Sequence, residues 1–192
     1  MRVLSLGALS LGAWSKRLLR DPKWLRRILN LYPPYLGAGV VVRQIRSDFR
    51  EVVVEMPLRF YNRNYVGTHF GGNLYSMVDP FYMLMLIQIL GEGYVVWDQA
   101  AKIVFEKPGR GRVWARLAVT EGEIETIRRE SSSGRPYRPT FVAQIRDASG
   151  EVVATVEKTL YVRRKMPRGL SSEARQAPRP ESDRAAAPGR GG

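Results

Sequence analysis

In the middle of this chain a polar loop with three glycines runs straight into an apolar segment, NRNYVGTHFGGNLYSMVDPFYMLMLIQILG, Asn62 to Gly91. The apolar part, PFYMLMLIQIL, is longer than an ordinary strand and shorter than a bilayer crossing. On both sides of it the sequence alternates apolar and polar residues with a period of two, the pattern of strands with one packed face. A single apolar helix has to be covered, and strands are what the rest of the chain supplies. The reading is an α+β fold: one long central helix wrapped in an antiparallel sheet of about six strands.

The strand patterns can be placed. Val52, Val54, Met56 and Leu58 alternate with Val53, Glu55 and Pro57, and pair with Gly39 to Arg46 as a hairpin turning at Asp48 to Arg50. Gly91 ends the central helix as a C-cap. Tyr94 to Glu106 follows as a strand, with Ala101, Ile103 and Phe105 on one face. The run Lys107 to Arg112 is a turn, and Val113, Ala115, Leu117 and Val119 face the core from the next strand. Glu121 to Glu130 is compatible with a short charged helix or with a strand end and turn. Phe141, Ala143 and Ile145 mark another strand, and Val152 to Val162 a last, long one. Lys158 falls on the apolar face of that last strand, which implies that the strand runs past the core there.

Charge and composition divide the chain. The net charge is +13, of which residues 1–36 carry +6 and residues 163–192 carry +5, so the body between them is nearly neutral. A nucleic-acid binder needs its basic face on the folded domain, so no specific nucleic-acid partner is expected. Cysteine is absent and there is one histidine, which excludes disulfides and thiolate metal sites and argues against a histidine-built zinc site. No metal and no cofactor are expected. Residues 1–20 superficially resemble a signal peptide but are diluted by Ser and Gly, lack a convincing cleavage site, and read as an N-terminal helix. A second helix starts at Asp21-Pro22, with Trp24, Leu25, Ile28, Leu29 and Tyr32 as its apolar stripe, and stops at Pro33-Pro34. That helix packs on the domain edge or lies on a membrane surface. From Met166 onward the sequence is rich in Pro, Arg, Ala and Gly and too poor in apolar residues to offset its ordering entropy. The expected division is a helical extension over 1–36, a domain over 37–165 and a disordered basic tail over 166–192.

The loop-to-helix junction carries the candidate chemistry. Helix N-termini present unpaired N–H groups, and Gly71 and Gly72 let another molecule approach that backbone. A carbonyl placed there would have its oxyanion stabilised. Asp79, the one carboxylate between Glu55 and Glu92, could attack that carbonyl or activate water. Asn62, Asn64, His69 and Asn73 could orient substrate or water. Each has a plainer reading: Asp79-Pro80 has the form of an N-cap and first-turn proline, His69 alone is compatible with a structural loop residue, and the methionines, Met83 among them, are compatible with core. If the helix instead begins near Gly72, Pro80 interrupts it.

The spacing of Asn62, Gly67, Gly71, Gly72 and Asp79 resembles that of hotdog-fold acyl-CoA thioesterases of the phenylacetyl-CoA and 4-hydroxybenzoyl-CoA type. The segments YPPYLGAGV, NRNYVGTHFGG and TLYVRRK look closest to a bacterial branch of unassigned function. The resemblance covers about residues 25–165. It implies a hotdog fold, a homodimer or dimer of dimers joined by sheet edges, and an acyl-CoA cleft between subunits. It assigns Asp79 as base or nucleophile, Gly71 and Gly72 as oxyanion donors, and His69 and Asn64 as positioning groups. It also implies substrate contacts at Asn62, Phe70, Asn73 and Met83, with CoA phosphates meeting Lys107, Arg110 and Arg112, or Arg138. This chain departs from the pattern at three points. Phe70 rather than His69 stands nine positions before the acid, Met83 replaces a Ser or Thr one turn after it, and proline follows the acid. The expected function is a cytoplasmic acyl-CoA thioesterase; the alternative is a non-catalytic acyl- or lipid-binding protein that touches membrane through its N-terminal helix.

Overall fold

The computed structural model describes residues 19–166. The helix expected within residues 1–20 falls almost wholly outside that range, as does the tail expected beyond Met166.

Six antiparallel strands form one sheet: β1 (Val41–Ile45), β2 (Glu51–Pro57), β3 (Tyr94–Phe105), β4 (Arg112–Ala118), β5 (Thr140–Asp147) and β6 (Val152–Arg164), in the spatial order β1-β2-β4-β5-β6-β3. Alternation along β2 and β4 follows the sequence pattern, with Val52, Val54, Met56, Val113, Ala115 and Leu117 all buried. They cover the central helix, which runs from Gly71 to Leu90 in two pieces. The first is α3 (Gly71–Ser76) and the second α4 (Phe81–Leu90). Phe81, Tyr82, Met85 and Leu86 of α4 are buried against the sheet. Full burial of side chains of this size stabilises by roughly 1.5–3 kcal/mol each.

The interruption falls at Pro80, which has no N–H for the helical ladder. Asp79 makes no capping bond to α4. Of the two sequence readings of this junction, the helix that begins near Gly72 and breaks at Pro80 is the one the structure adopts. Gly91 closes α4 with a φ of 76°, a backbone that favours glycine.

Two helices precede the sheet. In α1 (Pro22–Asn30) the Asp21 carboxylate accepts bonds from the Lys23 and Trp24 N–H groups, as its position predicts. The Asn30 side chain donates to the Val42 carbonyl at 3.0 Å and accepts from the Val42 N–H at 2.7 Å, tying α1 to the outer edge of β1. Pro33-Pro34 does not end the helical region; it opens a second short helix, α2 (Pro33–Ala38). Proline is tolerated in a first turn, where its missing N–H would be unpaired in any case.

The segment after β4 resolves as a helix, α5 (Glu121–Glu130), started by a reciprocal capping box between Thr120 and Glu123. Its buried face is Ile124 and Ile127. No helix among the described residues is long and apolar enough to cross a membrane.

β3 is the opposite edge of the sheet and, among the described residues, pairs only with β6. The apolar face expected there is uncovered over its C-terminal half: Ala101 and Phe105 are exposed and Ile103 is half-buried.

Candidate active site

The largest departure from the sequence reading is Lys158. It does not mark a strand leaving the core. Its side chain is 1% exposed and lies beneath the helix interruption. The ammonium is 2.6 Å from Asp79 Oδ1 and donates to the Tyr75 hydroxyl at 2.8 Å. It also lies 3.2 Å from Asp98 Oδ1, without hydrogen-bond geometry to that atom. Tyr75 donates to the same Asp79 oxygen at 3.2 Å. A buried cation is tolerated only when paired, and here two carboxylates and a phenol share it.

Backbone geometry brings these groups together. Asp98 sits opposite Leu160 in the β3–β6 ladder, and a bulge between Asp98 and Ala100 resets the register toward Lys158. Tyr75 is four residues before Asp79, one turn along α3. The Tyr35 hydroxyl donates to the Asp79 carbonyl at 2.6 Å, so α2 also fixes the interruption.

The charges follow from burial and pairing. Burial pulls Lys158 down, but hydrogen bonds to Asp79 and Tyr75 and the charges of Asp79 and Asp98 outweigh it and hold the ammonium at about 12. Burial raises the Asp98 carboxyl above its ordinary value, opposed by Lys158 and reinforced by the nearby Asp79. Burial also raises the Tyr75 hydroxyl. The Asp79 side chain is 40% exposed, so part of this charge cluster reaches solvent.

The glycine end of α3 forms a second centre. Among the described residues, no backbone acceptor is found for the Gly71 and Gly72 N–H groups, as a helix start requires. A Cβ on Gly71 would lie 2.9 Å from the Phe105 ring, and one on Gly72 would lie 2.6 Å from the Phe70 ring. Both amides are therefore bracketed by aromatic rings that glycine alone lets so close. Beside them is a cleft of about 470 Å³ lined by Asn64, Thr68, His69, Gly71, Phe105 and the turn Lys107 to Arg110.

His69 is buried in the wall of that cleft, and its Nε2 is 2.9 Å from the Gly111 carbonyl. A carbonyl only accepts, so Nε2 carries the proton and Nδ1 is left as an acceptor. Nδ1 has no partner. Burial lowers the imidazole below its ordinary value, more strongly than the Gly111 bond raises it.

The remaining predicted residues separate into three groups. Asn62 is buried with its amide bonded inside the fold: Oδ1 accepts from the Arg59 N–H at 2.7 Å, and Nδ2 donates to the Ala38 and Pro57 carbonyls at 3.1 and 3.0 Å. Asn64 shapes the loop, accepting from the Val66 and Thr68 N–H groups. Asn73 reaches back to the Asn62 carbonyl, and Met83 packs against the core. Lys107 pairs with Asp147 at 2.7 Å and with Glu151, while Arg112 lies 3.7 Å from Glu55. Arg110 is exposed at the cleft, and Arg138 donates to Gln99 at 3.1 Å, away from the turn.

Gly71 opens α3 and Asp79 lies beyond its end, eight residues further on. Lys158, Asp98 and Tyr75 went unrecognised in the sequence; its one signal was a lysine in an otherwise apolar alternation.

Residues 23–162 match the family DUF4442, described as a domain of unknown function. The chain belongs to the DUF4442 family. No curated protein matches it in sequence. Among solved structures this DUF4442 chain is similar to PA5026 of Pseudomonas aeruginosa, a protein of unknown function, at 18% identity and a TM-score of 0.67, covering 75% of this chain and 97% of that one. It is similar to OLEI01261 of Chlorobaculum tepidum, also of unknown function, at 15% identity and a TM-score of 0.61, covering 76% and 98%. It is likewise similar to thioesterase HI1161 of Haemophilus influenzae at 15% identity and a TM-score of 0.58, covering 78% and 94%. These likenesses give the DUF4442 chain the hotdog fold expected from its glycine and aspartate spacing.

Proposed function

We propose that this chain hydrolyses an acyl-CoA thioester in a cleft between two copies of itself, as a cytoplasmic homodimer. The observation that carries the reading is the Asp79 carboxylate, 40% exposed and braced by the buried Lys158 at a break in the central helix. Asp79 takes a proton from water as the oxygen adds to the thioester carbon. The oxyanion that forms is met by the Gly71 and Gly72 N–H groups. The α3 helix is only six residues long, so these local amides matter more than its dipole. The C–S bond then breaks, and the CoA thiolate takes the proton from Asp79, giving a free acid and CoA.

The separation of Asp79 and Gly71 along the chain favours a site shared by two copies, one supplying the carboxylate and the other the amides. The open edge of β3 supports this arrangement: among the described residues this twelve-residue strand pairs on one side only, with the β6 strand that carries Lys158. Uncovered strand edges are otherwise a liability. His69 shapes the cleft wall through its bond to the Gly111 carbonyl. Arg110 is left for a CoA phosphate, since Lys107 and Arg112 already have carboxylate neighbours.

The test is thiol release from a panel of short, medium, long and aryl acyl-CoAs, run beside thermal unfolding with each compound. Turnover of at least one member supports hydrolysis. Thermal protection without turnover replaces the reading with that of an acyl-CoA binder, in which Lys158 holds Asp79 too firmly for it to act as a base.

A further inference from the structure

α1 has two apolar faces, and the fold uses one. Leu25 and Leu29 are buried against the domain, but Trp24 and Ile28, expected on the same packed stripe, stand on the solvent side together with Leu31, which is 72% exposed. Tyr32 and Leu36 extend this exposed strip onto α2. Apolar residues at intervals of three and four form one continuous stripe on a helix, so this is a surface and not a scatter of single side chains.

The charge beside the strip is of one sign. Lys23 and Arg27 sit on the same helix, and Asp21, the one acidic residue between Leu19 and Asp48, is committed to the N-cap. The Arg27 guanidinium lies 4.9 Å from the centre of the Trp24 ring, alongside the apolar strip. Exposed Trp, Ile, Leu and Tyr interleaved with cations and without carboxylates is the make-up of a helix lying in a membrane interface, its apolar side chains among the acyl chains and its cations at anionic headgroups. A symmetric contact of the strip with its own copy would bring these like charges together, because the strip supplies no acidic counterpart.

We infer that the α1–α2 face docks this protein on an anionic phospholipid bilayer through Trp24, Ile28 and Leu31, with Lys23 and Arg27 at the headgroups. The inference is independent of whether Asp79 hydrolyses a thioester.

The experiment is flotation of the full chain with phosphatidylcholine vesicles, with and without roughly one-third phosphatidylserine, for wild type, Ile28→Glu/Leu31→Glu and Lys23→Glu/Arg27→Glu. Both double variants alter surface positions, and circular dichroism confirms that each is folded. Wild type is expected to float only with the anionic vesicles, more weakly at high salt, and each variant to lose binding about tenfold or more. Equal binding to neutral vesicles would overturn the charge assignment. Undiminished binding by the variants would overturn the α1–α2 face and move the contact elsewhere in the chain. A change of oligomeric mass in Ile28→Glu/Leu31→Glu with no vesicle binding by wild type would make the face a contact between copies and overturn the inference.

Discussion

Replacing Lys158 with methionine removes the cation between Asp79 and Asp98 and keeps most of the stem. At an effective dielectric of about 20, unit charges 2.6 Å and 3.2 Å apart attract with about 6 and 5 kcal/mol before desolvation is subtracted. Desolvation of the ammonium cancels much of this, and solvent at the 40% exposed Asp79 side chain screens part of the rest. Breaking a buried pair costs about 3–5 kcal/mol, and the exposure of Asp79 puts this one near the bottom of that range, about 3 kcal/mol at pH 7.5. The loss should depend on pH. Asp98 is already raised by burial, and without Lys158 the force that opposes this rise is gone. A carboxyl raised in the folded state favours folding below its unfolded value, and that contribution is lost as pH rises through the folded value. The variant should therefore recover toward wild type on acidification, with a smaller deficit at about pH 4.5 than at about pH 7.5. Urea unfolding of both proteins at the two pH values checks this. An equal deficit at both would show that the loss is one of packing, and would refute the charge account. Wild type carries the complementary signature: with Lys158 raised from 10.5 to about 12, its contribution is complete below about 10.5 and is lost as pH rises through about 12.

Three further outcomes are expected. Gly71→Ala drives a methyl into the Phe105 ring, which must leave its position at a cost of about 1 kcal/mol; the change should lower turnover, and adding Phe105→Ala should relieve the strain in thermal unfolding without restoring full activity. His69 is lowered in the folded state, so its contribution to stability is complete above about 6.5 and is lost as pH falls through the lowered value; the stability gap between wild type and His69→Gln should narrow over that window in denaturant titrations. Asn62→Ala should cost about 2–4 kcal/mol, because it strands one N–H and two carbonyls around a 1% exposed side chain, and the folded fraction should retain wild-type kcat.

The hairpin and the central helix were legible because burial in a sheet face or around an apolar helix leaves a period in the sequence. The break at Pro80 was legible as one of two options, since proline interrupts a helix but also starts one. Lys158 was not legible. An apolar alternation says which face a residue occupies, and a lysine on the inner face looks like the end of the core unless its partners are known. Those partners, Asp79 and Asp98, are 79 and 60 positions away in sequence. Asn62 was misread for a similar reason: a buried asparagine that closes three backbone groups has the same local signature as one that waits for a ligand. The stripe on α1 split into buried and exposed halves because helical spacing groups residues by face without saying which face meets the sheet.

The central claim, that the Asp79 carboxylate works on a thioester, is tested most directly by kcat and Kd for Asp79→Asn on the best acyl-CoA of the panel. The amide keeps the side chain's shape, and Lys158 keeps Asp98 as a partner at 3.2 Å, so the variant should fold. The account predicts a kcat lower by about 100-fold or more with Kd within a few-fold of wild type. Retention of wild-type kcat would contradict it, and would place the base elsewhere in the cleft.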